Sequence, residues 1–559
     1  MKQLLHILKY KILANSRLDV KVTFGNLIKE FGSILVYLLF AYGAFVFSKT
    51  ILSILLEQLN IGLFLLHQFL SIIFFIFFIS VNVGNIIVSW STLYKSQEIH
   101  FYFTKPILPY KIFFIKLLDN IFYSSSTLLL ILISVILGYV SYFNLSIGSF
   151  VIIILLNIIP FILTSASIGI IILLIIVKLA AKIGPQKLII SLFLGYISII
   201  IFYFDALSPL TLVYNVLENY PNVDQYFGSL IPNVMRYLPH QWLSESLYWL
   251  VNNDLNKLLL NTSKQIASAI FFFFFAMLLG RLWYYKTWLM DIRFTTKTRS
   301  EKSILANLIE SLFTNSKILF SIILKDLIIF FRDSTQVLHS LMLLLLVVIF
   351  MISSSGISYR DFEQKNMAGV VFISIFTFNI LLISTLSLRF IFPLISLEGL
   401  AFWKIRTSPI NISSLINAKL FPYFLLIMIT TVMLTISTHY RLAPHLIPQS
   451  ITVLSSIAYF HVMMNYGMGV LFVNYKEKNA IRIASSRGAS LTFLFSLIYM
   501  VIVVAIIYTP IQEHFTLAIK GGYLSYHKIN ISFYIVSIFS LLTGSVFYLS
   551  ANKSITKDF

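Results

Sequence analysis

Long apolar stretches broken by short polar and mostly basic segments set the pattern of this chain. A helix crosses a hydrocarbon core with about 20 mostly apolar residues. By that measure the sequence predicts spans near 33–56, 62–92, 120–143, 148–177, 188–204 and 265–285. A second set follows near 337–354, 369–395, 420–437, 450–473, 490–509 and 531–550. The expectation is an all-α polytopic membrane protein of about twelve transmembrane helices, arranged six and six. Two longer segments fall between spans. Residues 205–263 hold Pro209, Pro221, Pro232 and Pro239 with an aromatic group at Trp242, Tyr248 and Trp249, residue types that favour a membrane interface. Residues 286–336 are basic and join the halves. The expected organisation is a first six-span half at 1–290, a basic linker with an amphipathic elbow helix at 291–336, and a second six-span half at 337–559.

The two halves rhyme between their second and third spans. The first reads Ser96-Gln-Glu98, then Pro106-Ile107, then Lys116-Leu117; the second reads Ser396-Leu-Glu398, then Pro409-Ile410, then Lys419-Leu420. The Pro-Ile to Lys-Leu spacing is the same in both, and the Glu-to-Pro stretch is longer in the second. A shared pattern at the same topological station reads as an internal duplication, and an even number of spans per half makes the repeat parallel. In the second copy Ser408 can cap a helix with Pro409 at its first position, so a short helix is expected from Ile410 to Phe421, running into the next span. Ahead of the second half, Ser321, Lys325 and Arg332 share one narrow stripe of an otherwise apolar helix that also carries Asp326 and Asp333. That pattern suits a helix lying in the membrane interface. Residues 3–31 show a looser version of it.

Composition sharpens the class. The chain of 559 residues is 58% hydrophobic and 11% charged, against about 45–50% and about 25% for a soluble domain. Its net charge of +20 invites a nucleic-acid reading, but the bases are distributed by side of the membrane. Most of the 41 Lys and Arg fall at the N-terminus, near 95–116 and 178–187, in the central linker, near 404–419 and 476–487, and at the C-terminus. The acids divide more evenly. A bias confined to bases marks cytoplasmic segments. The expectation is a multi-pass protein of the cytoplasmic (inner) membrane with both termini in the cytoplasm and the lipid bilayer, not nucleic acid, as its surroundings. No uninterrupted apolar run or small-residue cleavage site is found in Met1–Arg17, so no cleaved signal peptide is expected.

Several chemistries are missing. Cysteine is absent, which excludes disulfides, thiolate metal sites and a cysteine nucleophile. There is no G-x-x-x-x-G-K-[S/T] phosphate loop and no H-E-x-x-H. Gly521-Gly522 reads as an external turn, His67 and His461 as packing histidines inside spans, and the run 271–275 as lipid-facing bulk. Arg389, close to the end of its span, can snorkel to the interface.

The segment Ser396-Leu-Glu-Gly-Leu-Ala-Phe-Trp-Lys-Ile-Arg-Thr-Ser-Pro-Ile410, with Lys325-Asp326 to Phe331-Arg332-Asp333, resembles the permease subunit of a bacterial type-2 ABC exporter. The resemblance implies that Lys325 and Arg332 belong to an interfacial elbow helix. It also implies that residues 98–116 and 398–419 form cytoplasmic coupling helices, with Glu98, Phe101, Pro106, Lys116, Glu398, Phe402, Trp403, Pro409 and Lys419 at the contact with an ATPase. It further implies short re-entrant helices in 205–263 and 510–530. On this reading the chain is no enzyme and carries no cofactor, and ATP and magnesium sit on a separate ABC-type ATP-binding subunit, present in two copies. A stand-alone secondary transporter or flippase would want carboxylates at membrane depth, which the spans lack. A polytopic membrane enzyme would want a carboxylate pair in an early external loop, where only Glu57 is found.

Overall fold

The computed structural model describes residues 24–58, 62–183, 185–206, 234–297, 317–332, 334–357, 367–403, 407, 412–477, 480–519 and 526–557. They are helical, with no strand among them. The chain divides into two compact units, one of Met1–Val20 and Tyr37–Glu301, the other of Lys21–Val36 and Lys302–Phe559.

The helices of the first part are α1 (Phe24–Ser53), α2 (Leu63–Trp90), α3 (Gln97–Phe103), α4 (Pro109–Tyr142), α5 (Ile147–Ile153), α6 (Ile159–Ile183), α7 (Pro185–Ala206), α8 (Pro239–Val251) and α9 (Leu255–Lys297). Their ends follow local chemistry. Pro109 and Pro239 stand at the first turns of α4 and α8, where a missing N–H costs nothing. Ser146 caps α5 by accepting from the Ser149 amide at 3.1 Å. A π turn, Ser91–Lys95, continues α2, and another, Ile154–Ile158, joins α5 to α6.

Polar seams hold these helices together. His67 sits between the Leu63 carbonyl (2.7 Å) and the Tyr139 hydroxyl (2.8 Å), a satisfied packing histidine. Asn120 on α4 donates to Ser89 on α2 at 3.0 Å and accepts from Thr92 at 2.5 Å. A side chain at Gly169 would place its Cβ 2.4 Å from the Asn82 carbonyl oxygen, so α6 lies against α2 backbone to backbone, as small residues allow in membrane bundles. Phe271 and Phe274 of the phenylalanine run are exposed on the surface of α9.

The second part holds α10 (Lys317–Arg332), α11 (Ser334–Ser355), α12 (Met367–Phe390), a 3₁₀ turn (Ser396–Ala401), α13 (Ile412–His439), α14 (Ile447–Leu471), α15 (Ala480–Ile483), α16 (Arg487–Ile519) and α17 (Tyr526–Lys557). Its core runs through α12, α13, α14, α16 and α17, with Phe376, Ile427, Tyr466, Val503 and Val536 fully enclosed. Helix α10 packs on α11 and α13. His461 is buried in this core beside Phe460 and Tyr499.

Among the described residues, eleven helical stretches are long and apolar enough to cross a membrane. The third expected span falls on helix α4, which is 34 residues long; its described apolar stretch, Leu128–Tyr142, begins beside residues whose side chains lie outside the described ones. Of the segments expected to re-enter the membrane, residues 207–233 and 520–525, including Pro209, Pro221, Pro232 and Gly521-Gly522, lie outside the described residues. So do 1–23 of the N-terminal amphipathic stretch and 298–316 of the linker.

Candidate functional site

Each unit contains one place where a lysine near the start of a long helix reaches back to the glutamate that opens the preceding segment. In the first unit, Ser96 turns the chain out of the π turn into extended backbone, and Glu98 falls in the first turn of α3. The segment closes with Thr104 donating to the Phe101 carbonyl at 2.7 Å and enters α4 at Pro109. Lys116 on α4 is buried, its side chain 5% exposed, and its ammonium is bonded to the Glu98 carboxylate; Asp119 stands one turn on at 4.0 Å. The carboxylate itself is 55% exposed. The segment is seated on α9: Phe103 packs on Trp288 with ring centres 4.2 Å apart, and Tyr284 donates to the Leu93 carbonyl at 2.9 Å. Phe101 and Pro106 face outward, Phe101 beneath the Lys105 ammonium at 4.9 Å.

In the second unit the same two residue types meet in a larger knot. Lys419, 2% exposed, is bonded to Glu398 and to Asp326, the latter at 2.7 Å. Lys325 reaches Glu398 at 3.0 Å and Asp326 at 3.3 Å. Two lysines and two carboxylates thus alternate in a neutral cluster that joins α10, the 3₁₀ turn and α13. Burial pushes the Glu398 carboxyl up, but Lys419 and Lys325 outweigh it and hold it below the ordinary carboxylate range. Burial pulls the Lys325 ammonium down, and Asp326 and Glu398 more than reverse this.

The turn that carries Glu398 needs Gly399, whose φ of 61° is strained for any residue with a Cβ. The Asn474 amide donates to Ser396 Oγ at 3.0 Å and pins the turn to the chain beyond α14.

The residues singled out in the sequence therefore separate. Glu98 with Lys116, and Glu398 with Lys419 and Lys325, are brought together. Phe402 turns inward and stacks on Tyr475 at 5.7 Å; its neighbour Trp403 is 57% exposed. Pro409 lies outside the described residues, and Arg332 ends α10 without a described side chain. Asp326 is the member that sequence reasoning passed over. Its signal was a Lys-Asp pair in the middle of an apolar helix, where acids are costly unless paired.

A family model described as "Putative ATP-binding cassette" matches residues 21–557. The chain belongs to that family. No curated protein and no solved structure matches it. Membership in the ATP-binding cassette family corrects the expectation of a permease subunit of a type-2 exporter that leaves ATP to a separate motor. The expectations that the chain is no enzyme and carries no cofactor of its own fall with it, because the family is an ATP-binding cassette family over nearly the whole chain. The stand-alone transporter or flippase gains no support from the match either. The permease expectation rested on the repeated loop and the resemblance of short segments, and the separate motor on the absence of one loop pattern, set against a match over almost the full length.

The described residues nevertheless do not fit a nucleotide by the familiar chemistry. A triphosphate cradle uses a strand, a glycine-rich turn and a lysine free to reach the phosphates. Among the described residues there is no strand, and Lys116, Lys325 and Lys419 are committed to carboxylates. The cavity beside Arg389 measures about 40 Å³, room for about three waters and far below a nucleotide.

Proposed function

We propose that this chain is a membrane-spanning ATP-binding cassette protein that hydrolyses ATP itself, and that its two acid–lysine stations tie the segments that move in that cycle to its membrane helices. The observation that carries this reading is the pair of stations itself. Each ties an exposed segment to the first turns of a long helix through a buried lysine, so a push on the segment moves the helix instead of bending a loop. The outward residues Phe101, Lys105 and Pro106 in one unit and Trp403 in the other are the surfaces on which such a push would land. In this reading the stations lie on the cytoplasmic side, where the bases collect, and α10 serves as an amphipathic elbow. The full-length chain, purified alone in mild detergent, should hydrolyse ATP. Glu398→Gln should lower that rate severalfold while the chain stays inserted. A preparation with no ATP hydrolysis, or one indifferent to Glu398→Gln, would reject the proposal.

A further inference from the structure

Beside the second station lies a partly open cavity lined by Phe330, His339, Arg389, Phe390, Leu394 and Tyr423, among others. Arg389 sits in the last turn of α12 and is half-buried. Its guanidinium makes one described hydrogen bond, to the neutral hydroxyl of Ser485 at 3.1 Å. Among the described residues no carboxylate lines the cavity, and Nε2 of His339 has no partner. An arginine stays charged at any physiological pH and carries five donors in a rigid fork. A charge withdrawn from water without a counter-ion is costly. The fork matches a phosphate or carboxylate in bidentate geometry.

We propose that this cavity binds a phosphate group, carried by an anionic phospholipid or free in solution. Its enclosed part, about 40 Å³, admits the oxygens of one phosphate, and its open side leaves room for the rest of the molecule. Its apolar walls, Phe330, Phe390 and Leu394 among them, suit the glycerol and first methylenes of a lipid. It lies where α11 begins and α12 ends, so a headgroup can enter at the membrane boundary without crossing hydrocarbon. This inference stands apart from the proposed function, since it rests on Arg389 and not on the acid–lysine stations.

The test uses the full-length chain in detergent, offered equal amounts of dioleoyl phosphatidylglycerol and dioleoyl phosphatidylcholine and read by native mass spectrometry. Phosphatidylglycerol should be retained about tenfold over phosphatidylcholine, the range expected for charge-assisted bonds. Arg389→Gln should reduce it to the phosphatidylcholine level, and Arg482→Gln, outside the cavity, should leave the preference intact. A free-phosphate site would show instead no lipid preference but a rise in Tm with inorganic phosphate, lost in Arg389→Gln. A wild-type chain that neither prefers phosphatidylglycerol nor responds to phosphate would overturn the proposal, and that result needs no variant to fold.

Discussion

The two acid–lysine stations use the same residue types and differ in depth. In the first, Lys116 is buried but its partner Glu98 stands more than half in solvent. In the second, Lys419, Glu398 and Asp326 are all at or below 12% exposure, and Lys325 closes the cluster from α10. An ion pair with one solvated member gains little and loses little, because the carboxylate can return to water. A buried cluster is a different object. Its members cannot be removed singly without stranding a charge, so it fixes geometry more than it adds net stability. The second station is therefore the stiffer of the two, and the one whose damage should travel.

Substitutions that unbalance the buried cluster should have the largest effect. Lys419→Met leaves two enclosed carboxylates facing one lysine and should destabilise the second unit by about 3–5 kcal/mol, read as a fall in Tm of the detergent-solubilised chain. Lys116→Met should cost about 1 kcal/mol or less, because Glu98 remains hydrated. Equal losses in the two variants would erase the distinction between the stations.

Next in size is the contrast between neighbours in sequence. Phe402→Ala empties a place in the core beside Tyr475 and should cost about 3 kcal/mol. Trp403→Ala should change stability by about 0.5 kcal/mol or less, so any loss of ATP hydrolysis in that variant reports on its outward surface. A Trp403→Ala chain as unstable as Phe402→Ala would show the tryptophan to be structural.

Acid should separate the stations more gently. A carboxyl held below its unfolded value stabilises the native state fully above that value, about 4.3 for glutamate, and the contribution is lost as pH falls through the lower native one. Lys325, held above its unfolded value, contributes fully below about 10.4 and loses that contribution only as pH rises through the native value. The Tm difference between wild type and Glu398→Gln should thus persist from about pH 5 to about pH 10 and close on acidification below about pH 4. A gap that widened in acid would mean that Glu398 is not held ionised by its lysines.

Much of this architecture was legible from hydrophobic run length alone, since eleven stretches announce themselves as spans. Run length could not show how the polar start of α4 is used, with Asn120 bonded to Ser89 on α2. The stations were visible as a repeated spacing of Glu, Pro and Lys, but spacing could not show that the glutamate and lysine of each copy bond one another. Nor could it show that Asp326 and Lys325 complete the second knot from a helix about 70 residues earlier than Glu398. Phe402 and Trp403 look alike as an aromatic pair; only the 3₁₀ turn, set by Gly399, sends one inward and the other out. The ATP-binding cassette family was approached through the right kind of system and missed in its division of labour, because one absent motif was given more weight than a pattern spread over the whole chain.

The π turn at Ser91–Lys95 holds a surplus residue between the second helix and the Glu98 segment. In an α-helix one residue is worth about 100° of rotation and about 1.5 Å of rise. Were that surplus drawn into the helix below it, everything beyond would swivel by about that angle, and Glu98 would be carried off its line to Lys116. The first unit thus keeps a cog of twist next to its looser tie, held in the backbone and released by winding.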